Sequence, residues 1–102
     1  QIEQVLINII KNAVEATEMT QNPMISIRAY IDHQKKTIEV SDNGIGVLTE
    51  DSEKIFVPFY TSKPTGSGIG LSLSRQIMQM HGGSLEYLPN KPFGSRFVLI
   101  FN

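Results

Sequence analysis

Ile2-Glu3-Gln4-Val5-Leu6-Ile7-Asn8-Ile9-Ile10-Lys11-Asn12-Ala13-Val14-Glu15-Ala16 decides how the rest of the chain is read. Its apolar residues Ile2, Val5, Leu6, Ile9, Ile10, Ala13 and Ala16 recur in steps of three and four, so the segment predicts an amphipathic helix to about residue 18. Beside the apolar face runs a polar stripe. Asn8, Asn12 and Glu15 stand at offsets of four and seven along one side, and Lys11 borders them. Amide and carboxylate oxygens so aligned are hard donors that suit magnesium, which keeps several waters and takes substrate phosphates as further ligands. Taken alone, the same stripe also reads as a solvated polar face.

Downstream of Asn22-Pro23 the period changes to two. Met24 to Ile31 alternates Ile25, Ile27, Ala29 and Ile31 with Ser26, Arg28 and Tyr30, predicting a half-buried strand. A polar turn over Asp32–Lys36 leads to a second strand, Thr37–Ser41, with Ile38 and Val40 inward. Glu50–Phe56 predicts a short helix. Residues 57–70 hold Pro58, Pro64 and three glycines and predict irregular chain with little to hold it down. A second helix runs from around Gly68 to His81 and stops at Gly82-Gly83. Ser84–Leu88 and Ser95–Phe101 are further strands, joined by a turn around Pro89-Asn90-Lys91-Pro92. The order α-β-β-(short α)-α-β-β predicts an α+β two-layer sandwich, with helices on one face of a largely antiparallel sheet.

Composition narrows the function. The chain has 102 residues, a length that fits one domain, 1–102. Its net charge of −1 argues against a duplex-binding protein, and no apolar run has the length of a membrane span. With no cysteine, disulfide scaffolds and thiol catalysis are excluded, and His33 and His81 lie at no metal-ligand spacing. Gln1 opens the chain without Met and already inside the helical pattern, so the sequence reads as a piece of something longer.

Five of the eight glycines fall between Gly44 and Gly70. Gly66-Ser67-Gly68-Ile69-Gly70-Leu71, directly before a helix, is a candidate anion cradle, because free N–H groups at a helix N-terminus favour phosphate oxygens. It is not a dinucleotide fingerprint: from Gly66 the third glycine would fall on Leu71, and no strand precedes the loop. It is not a Walker A loop either, since no Gly-Lys pair exists. Asp42 ends a strand and enters a Gly-x-Gly turn, where it either caps the turn or accepts a hydrogen bond from a ligand amino group. Lys63 precedes the glycines and is either solvated or a point charge for a terminal phosphate.

Order and spacing together resemble one superfamily. Asn8–Ala16 is similar to the N box of the GHKL ATPases and kinases, Asp42-Asn43-Gly44-Ile45-Gly46 to the G1 box, Phe56–Lys63 to the F box, and Gly66–Leu71 to the G2 box. His81-Gly82-Gly83 and Gly94-Ser95-Arg96-Phe97 also fit, and the F box and Gly-x-Gly-x-Gly-Leu loop point to the sensor histidine kinase branch. The resemblance implies a Bergerat fold, with helices over a mixed, mostly antiparallel sheet and ATP held between them beneath a lid. It implies that Asn12 coordinates Mg²⁺, that Asp42 bonds the adenine amino group, and that Gly44 and Gly46, flanking Ile45, let the backbone pass the base. Gly66, Ser67, Gly68, Gly70 and Leu71 would bring lid backbone to the phosphates, and Lys63 would reach the terminal one. Asn8, Lys11, Glu15, Tyr60 and Thr61 are further expected ligand contacts, with Asn12 and Lys63 carrying catalysis.

Related ATPases such as gyrase and heat-shock chaperones place a glutamate base where this chain has Asn8, and an amide cannot take that proton. The implied activity is therefore transfer of the ATP γ-phosphoryl group to a histidine on a partner domain. The implied partners are a dimerisation and phosphoacceptor domain, missing from these residues, and a response regulator; the implied setting is cytoplasmic. The strand and helix expected before the N box are absent, so the domain reads as partial at its N-terminus, and His33 and His81 lack an acceptor's context and read as structural. A self-sufficient ATPase and a degenerate nucleotide-binding or interaction module are the alternatives.

Overall fold

The computed structural model describes residues 1–60 and 70–102. The element order is α1 (Ile2–Ala16), β1 (Ile25–Asp32), β2 (Lys35–Asp42), a 3₁₀ turn (Thr49–Asp51), α2 (Gly70–Met80), β3 (Ser84–Pro89) and β4 (Ser95–Phe101). The strands form one sheet in the order β1-β2-β4-β3, and every pairing among the described residues is antiparallel. Both helices pack on one face, which gives the expected two-layer sandwich. α1 rests on β2, α2 on β3, and the helices touch each other.

Register explains the core. Val40, Phe97 and Tyr87 form one row across β2, β4 and β3, and Ile38, Leu99 and Leu85 form the next. Against these rows α1 lays Val5, Ile9 and Ala13, and α2 lays Ile77 and Met78, all buried. The spacing of four along α1 keeps its three buried residues on one stripe.

β1 corrects the sequence reading. Its alternation predicts a half-buried strand, yet Ile25, Ile27 and Ile31 are 38%, 56% and 73% exposed. Ile27 and Ala29 continue the two core rows outward, but the helices rest on β2 and on β3 at the far edge, not on β1. Period two reports which residues share a face; it does not report whether that face is covered.

Two other elements differ in extent. The β1–β2 hairpin closes tightly at His33 and Gln34, both at positive φ, so β2 begins at Lys35 and pairs as far as Asp32↔Lys35. Paired positive φ values suit the right-handed twist of the flanking strands. The predicted helix over 50–56 is instead a succession of i→i−3 turns: Asp51 N–H donates to the Leu48 carbonyl (2.9 Å), Lys54 N–H to Asp51 (2.8 Å) and Val57 N–H to Lys54 (2.9 Å). Ser52 Oγ donates to the Thr49 carbonyl (2.8 Å), and Pro58 has no N–H to continue a helix.

The end of α2 is as predicted. Gly83 N–H reaches the Met78 carbonyl (2.8 Å) and Gly82 N–H the Gln79 carbonyl (3.0 Å), with Gly82 at φ +77°. This Schellman closure turns the chain directly into β3.

Candidate functional site

Asp42 is the last residue of β2 and is 3% exposed. Gly44 N–H (2.9 Å) and Ser95 N–H (3.3 Å) both donate to its Oδ1. The carboxylate is thereby fixed through one oxygen, and both of these donors leave Oδ2 unused. Burial pushes the Asp42 pKa up, and the two backbone donors pull against that rise. A carboxylate kept in a poorly solvated corner binds a neutral N–H donor more strongly than one in water.

The turn after Asp42 docks on the end of α1. Ile45 N–H donates to the Ala16 carbonyl (3.2 Å), satisfying one of the carbonyls that a helix C-terminus leaves open. An ideal Cβ on Gly44 would lie 2.2 Å from that same carbonyl oxygen, so only glycine fits. Gly46 packs against Gly94, its Cβ position 3.1 Å from the Gly94 oxygen. The fold itself therefore demands Gly44, a steric reason that the expectation of close approach to a base did not contain. Ile45 between them is 81% exposed.

This docking sets the C-terminal end of α1, toward which the polar stripe runs, against the turn that follows Asp42. Asn12 lies one helical turn before Ala16, and Asn8 and Glu15 share its side of the helix. Asn8, Asn12 and Glu15 are all half-buried, while the bordering Lys11 is exposed. At the other end of the stripe Asn8 Nδ2 donates to Ser74 Oγ (3.3 Å), and Ser74 is fully buried on α2. Asn8 thus ties α1 to α2 one turn inside the start of α2 at Gly70. The polar stripe thus runs from Ser74 of α2 at one end toward the turn that follows Asp42 at the other.

Not every expected residue faces this site. Leu71 packs against the core. Tyr60 also packs there, and hydrogen bonding to Asp51, with the carboxylates of Asp51 and Glu50 nearby, pushes its phenol pKa up. Among the described residues, Gly70 has nothing within 4 Å of its Cβ position. Thr61, Lys63, Gly66, Ser67 and Gly68, the centre of the expected lid, lie outside the described residues. His81 Nδ1 sits 2.9 Å from the Ile77 carbonyl at the helix end, and His33 lies against Asp32 (2.9 Å). Sequence reasoning missed Asn90 and Ser95 as neighbours of Asp42. The Gly94-Ser95 pair was a usable signal; for Asn90 there was none beyond its place in a turn.

Among the described residues no group of three or more His, Cys, Asp or Glu could hold a metal ion, and no helix is long and apolar enough to cross a membrane. The donors on the α1 stripe are instead amide oxygens and one carboxylate. That set fits a cation bound chiefly by substrate phosphates and water, with one or two protein oxygens completing the shell.

Comparison with known proteins agrees with this geometry. The model of the family described as "Histidine kinase-, DNA gyrase B-, and HSP90-like ATPase" matches residues 1–102. The "Signal transduction histidine-protein kinase AtoS" of Escherichia coli (strain K12) is 38% identical over 99 residues, covering 97% of this chain and 16% of that protein. The "C4-dicarboxylate transport sensor protein DctB" of Rhizobium meliloti (strain 1021) is 36% identical over 99 residues, with the same two coverages, 97% and 16%. The chain thus spans about a sixth of the length of these relatives. Among solved structures, a nucleotide-free catalytic domain of histidine kinase ThkA superposes with a TM-score of 0.83 at 39% identity, covering 98% of this chain and 64% of that one. The sandwich, the buried carboxylate at a strand end and the match over the full length lead to one conclusion: this chain belongs to the histidine kinase-, DNA gyrase B- and HSP90-like ATPase family.

Proposed function

We propose that this chain is the ATP-binding part of a two-component sensor kinase, and that it presents the γ-phosphoryl group of ATP to a histidine of a dimerisation and phosphoacceptor domain. The observation that carries the reading is the buried Asp42, fixed through Oδ1 next to the turn that docks on the end of α1. Asp42 Oδ2 accepts from the adenine amino group. Lys63 and the backbone of Gly66, Ser67, Gly68 and Gly70 hold the phosphates, with Thr61 and Lys11 at the rim. A bound Mg²⁺ would supply charge neutralisation on the phosphates, and Asn12, with Glu15 beside it, would hold it through side-chain oxygens.

In the transfer the bond from the γ-phosphorus to the β,γ-bridging oxygen breaks, a bond to an imidazole nitrogen forms, and ADP leaves. The unprotonated imidazole nitrogen attacks, and the proton on the other ring nitrogen passes to solvent. Catalysis of this kind is mostly positioning and charge stabilisation. No side chain need act as base toward water, which accords with Asn8: its amide has no basic lone pair and its Nδ2 is engaged with Ser74. A response regulator would then take the phosphoryl group from the histidine. A cytoplasmic setting follows from that partnership.

The test is incubation of the chain with γ-labelled ATP, with and without a histidine-bearing partner domain. Acid-labile label is expected on the partner and not on His33 or His81. Label on the isolated chain would overturn the reading, and rapid release of inorganic phosphate would favour the self-sufficient ATPase. Asn12→Ala is expected to abolish the gain in ATP affinity that Mg²⁺ provides, while Asn8→Ala retains most of it. Titrations with and without the metal check this, and metal dependence surviving Asn12→Ala would remove Asn12 from the site.

A further inference from the structure

The turn from β3 to β4 lies against Asp42. Asn90, half-buried and 48 residues away in sequence, donates from Nδ2 to the Asp42 main-chain carbonyl at 2.8 Å. Its Oδ1 accepts from Lys91 N–H (3.0 Å) and its own N–H donates to the Gly94 carbonyl (3.1 Å), so the side chain is held by its own turn. Gly94 passes so close that an ideal Cβ would lie 1.9 Å from the same Asp42 carbonyl oxygen. The next residue, Ser95, pairs with Asp42 in the sheet and donates its N–H to Oδ1.

We propose that Asn90 is a positioning residue for Asp42: by clamping the Asp42 carbonyl to the β3–β4 turn it holds the carboxylate in register for the adenine amino group. This rests on the reading of Asp42 as the adenine acceptor. The mechanism is geometric. Asn90 fixes the turn to Asp42, the turn carries Ser95, and Ser95 N–H is one of two donors fixing Oδ1. Without the clamp Ser95 is held only by the last pair of the β2–β4 ladder, and its donation to Oδ1 is less well fixed. A ligand that uses Asp42 then loses affinity, and a ligand that does not use it loses nothing.

The experiment compares two nucleotides on the full chain by calorimetric titration: ATP, and purine riboside 5′-triphosphate, which lacks the exocyclic amine. Asn90→Ala is expected to weaken ATP by about three- to ten-fold, the scale of one neutral hydrogen bond, and to leave the purine nucleotide unchanged. Asn90→Asp keeps the shape and the acceptor but removes the donor, so it behaves as Asn90→Ala and decides the matter if the alanine variant does not fold. In an Asp42→Asn background Asn90→Ala adds no further loss, because the two act as one unit. Equal weakening of both nucleotides, or of neither, would overturn the role of Asn90. A preference for ATP over the purine nucleotide that survives Asp42→Asn itself would overturn the adenine reading beneath it, so the two failures are separable.

Discussion

Asp42→Asn is expected to weaken ATP binding by about ten- to a hundred-fold while the protein stays folded. The carboxylate offers a charged acceptor, and a hydrogen bond to a charged group contributes roughly 1.5–3 kcal/mol, which converts to that range of affinity. Asparagine keeps an oxygen for Gly44 N–H and Ser95 N–H, so the bonds that close the turn survive. What changes is the atom facing the ligand: an amide N–H₂ in place of Oδ2 would meet another donor. Stability should move the other way. Burial raises the folded pKa of Asp42 above the ordinary value of 3.8, so the folded state holds this proton more tightly than the unfolded chain does. The resulting contribution to stability is fully present below about pH 3.8, is lost as pH rises through the raised value, and leaves a cost at neutral pH. The Asp42→Asn variant carries no such cost, so its melting temperature at pH 7 should equal or exceed that of the parent. ATP affinity of the parent should fall as pH drops through the raised value, and that step should be missing in the variant. Calorimetric titration across pH, with a melting curve at each point, reads both effects. Unchanged affinity in a folded Asp42→Asn protein would remove Asp42 from the site.

The parts of the site legible in the sequence are those set by local spacing. Asn8, Asn12 and Glu15 share a helix face because 3.6 residues make a turn, and Asp42 stands out because a carboxylate between an apolar strand and Gly-x-Gly is unusual. The layers were legible for the same reason: the apolar stripe of α1 and the inward Ile38 and Val40 of β2 required one shared core. What escaped depends on distant partners. The exposure of Ile27 follows from where β1 falls in the sheet, a consequence of pairing and not of its own pattern. The tight turns that follow Leu48 arise where a hydroxyl competes for a backbone carbonyl and a proline interrupts, which weak helical periodicity does not register. Asn90 reads as one more turn residue until the fold sets Asp42 beside it.

The glycines separate by the same logic, and Gly94→Ala should show it most clearly. Gly94 has φ +108° and its Cβ position lies 1.9 Å from the Asp42 carbonyl oxygen and 2.9 Å from Asn43 Cα. Both obstacles are backbone and neither can swing aside. Backbone strain of this kind costs roughly 1–3 kcal/mol, and forcing extra volume into packed surroundings costs a similar amount. A total of about 3 kcal/mol would lower the melting temperature by roughly 12–24 °C in a chain of this size. Gly44→Ala should behave alike, because its Cβ would press to 2.2 Å on the Ala16 carbonyl oxygen at the end of α1. Gly70→Ala is the contrast: among the described residues nothing lies within 4 Å of its Cβ position, and alanine favours a helix more than glycine does. Its melting temperature should stay at or above the parent value, so that any loss of ATP binding reports contact with the nucleotide and not damage to the fold. Melting curves of the three variants in the absence of nucleotide decide the matter. If Gly94→Ala and Gly44→Ala melt with the parent, the close packing of the two turns around Asp42 is not what holds the site together.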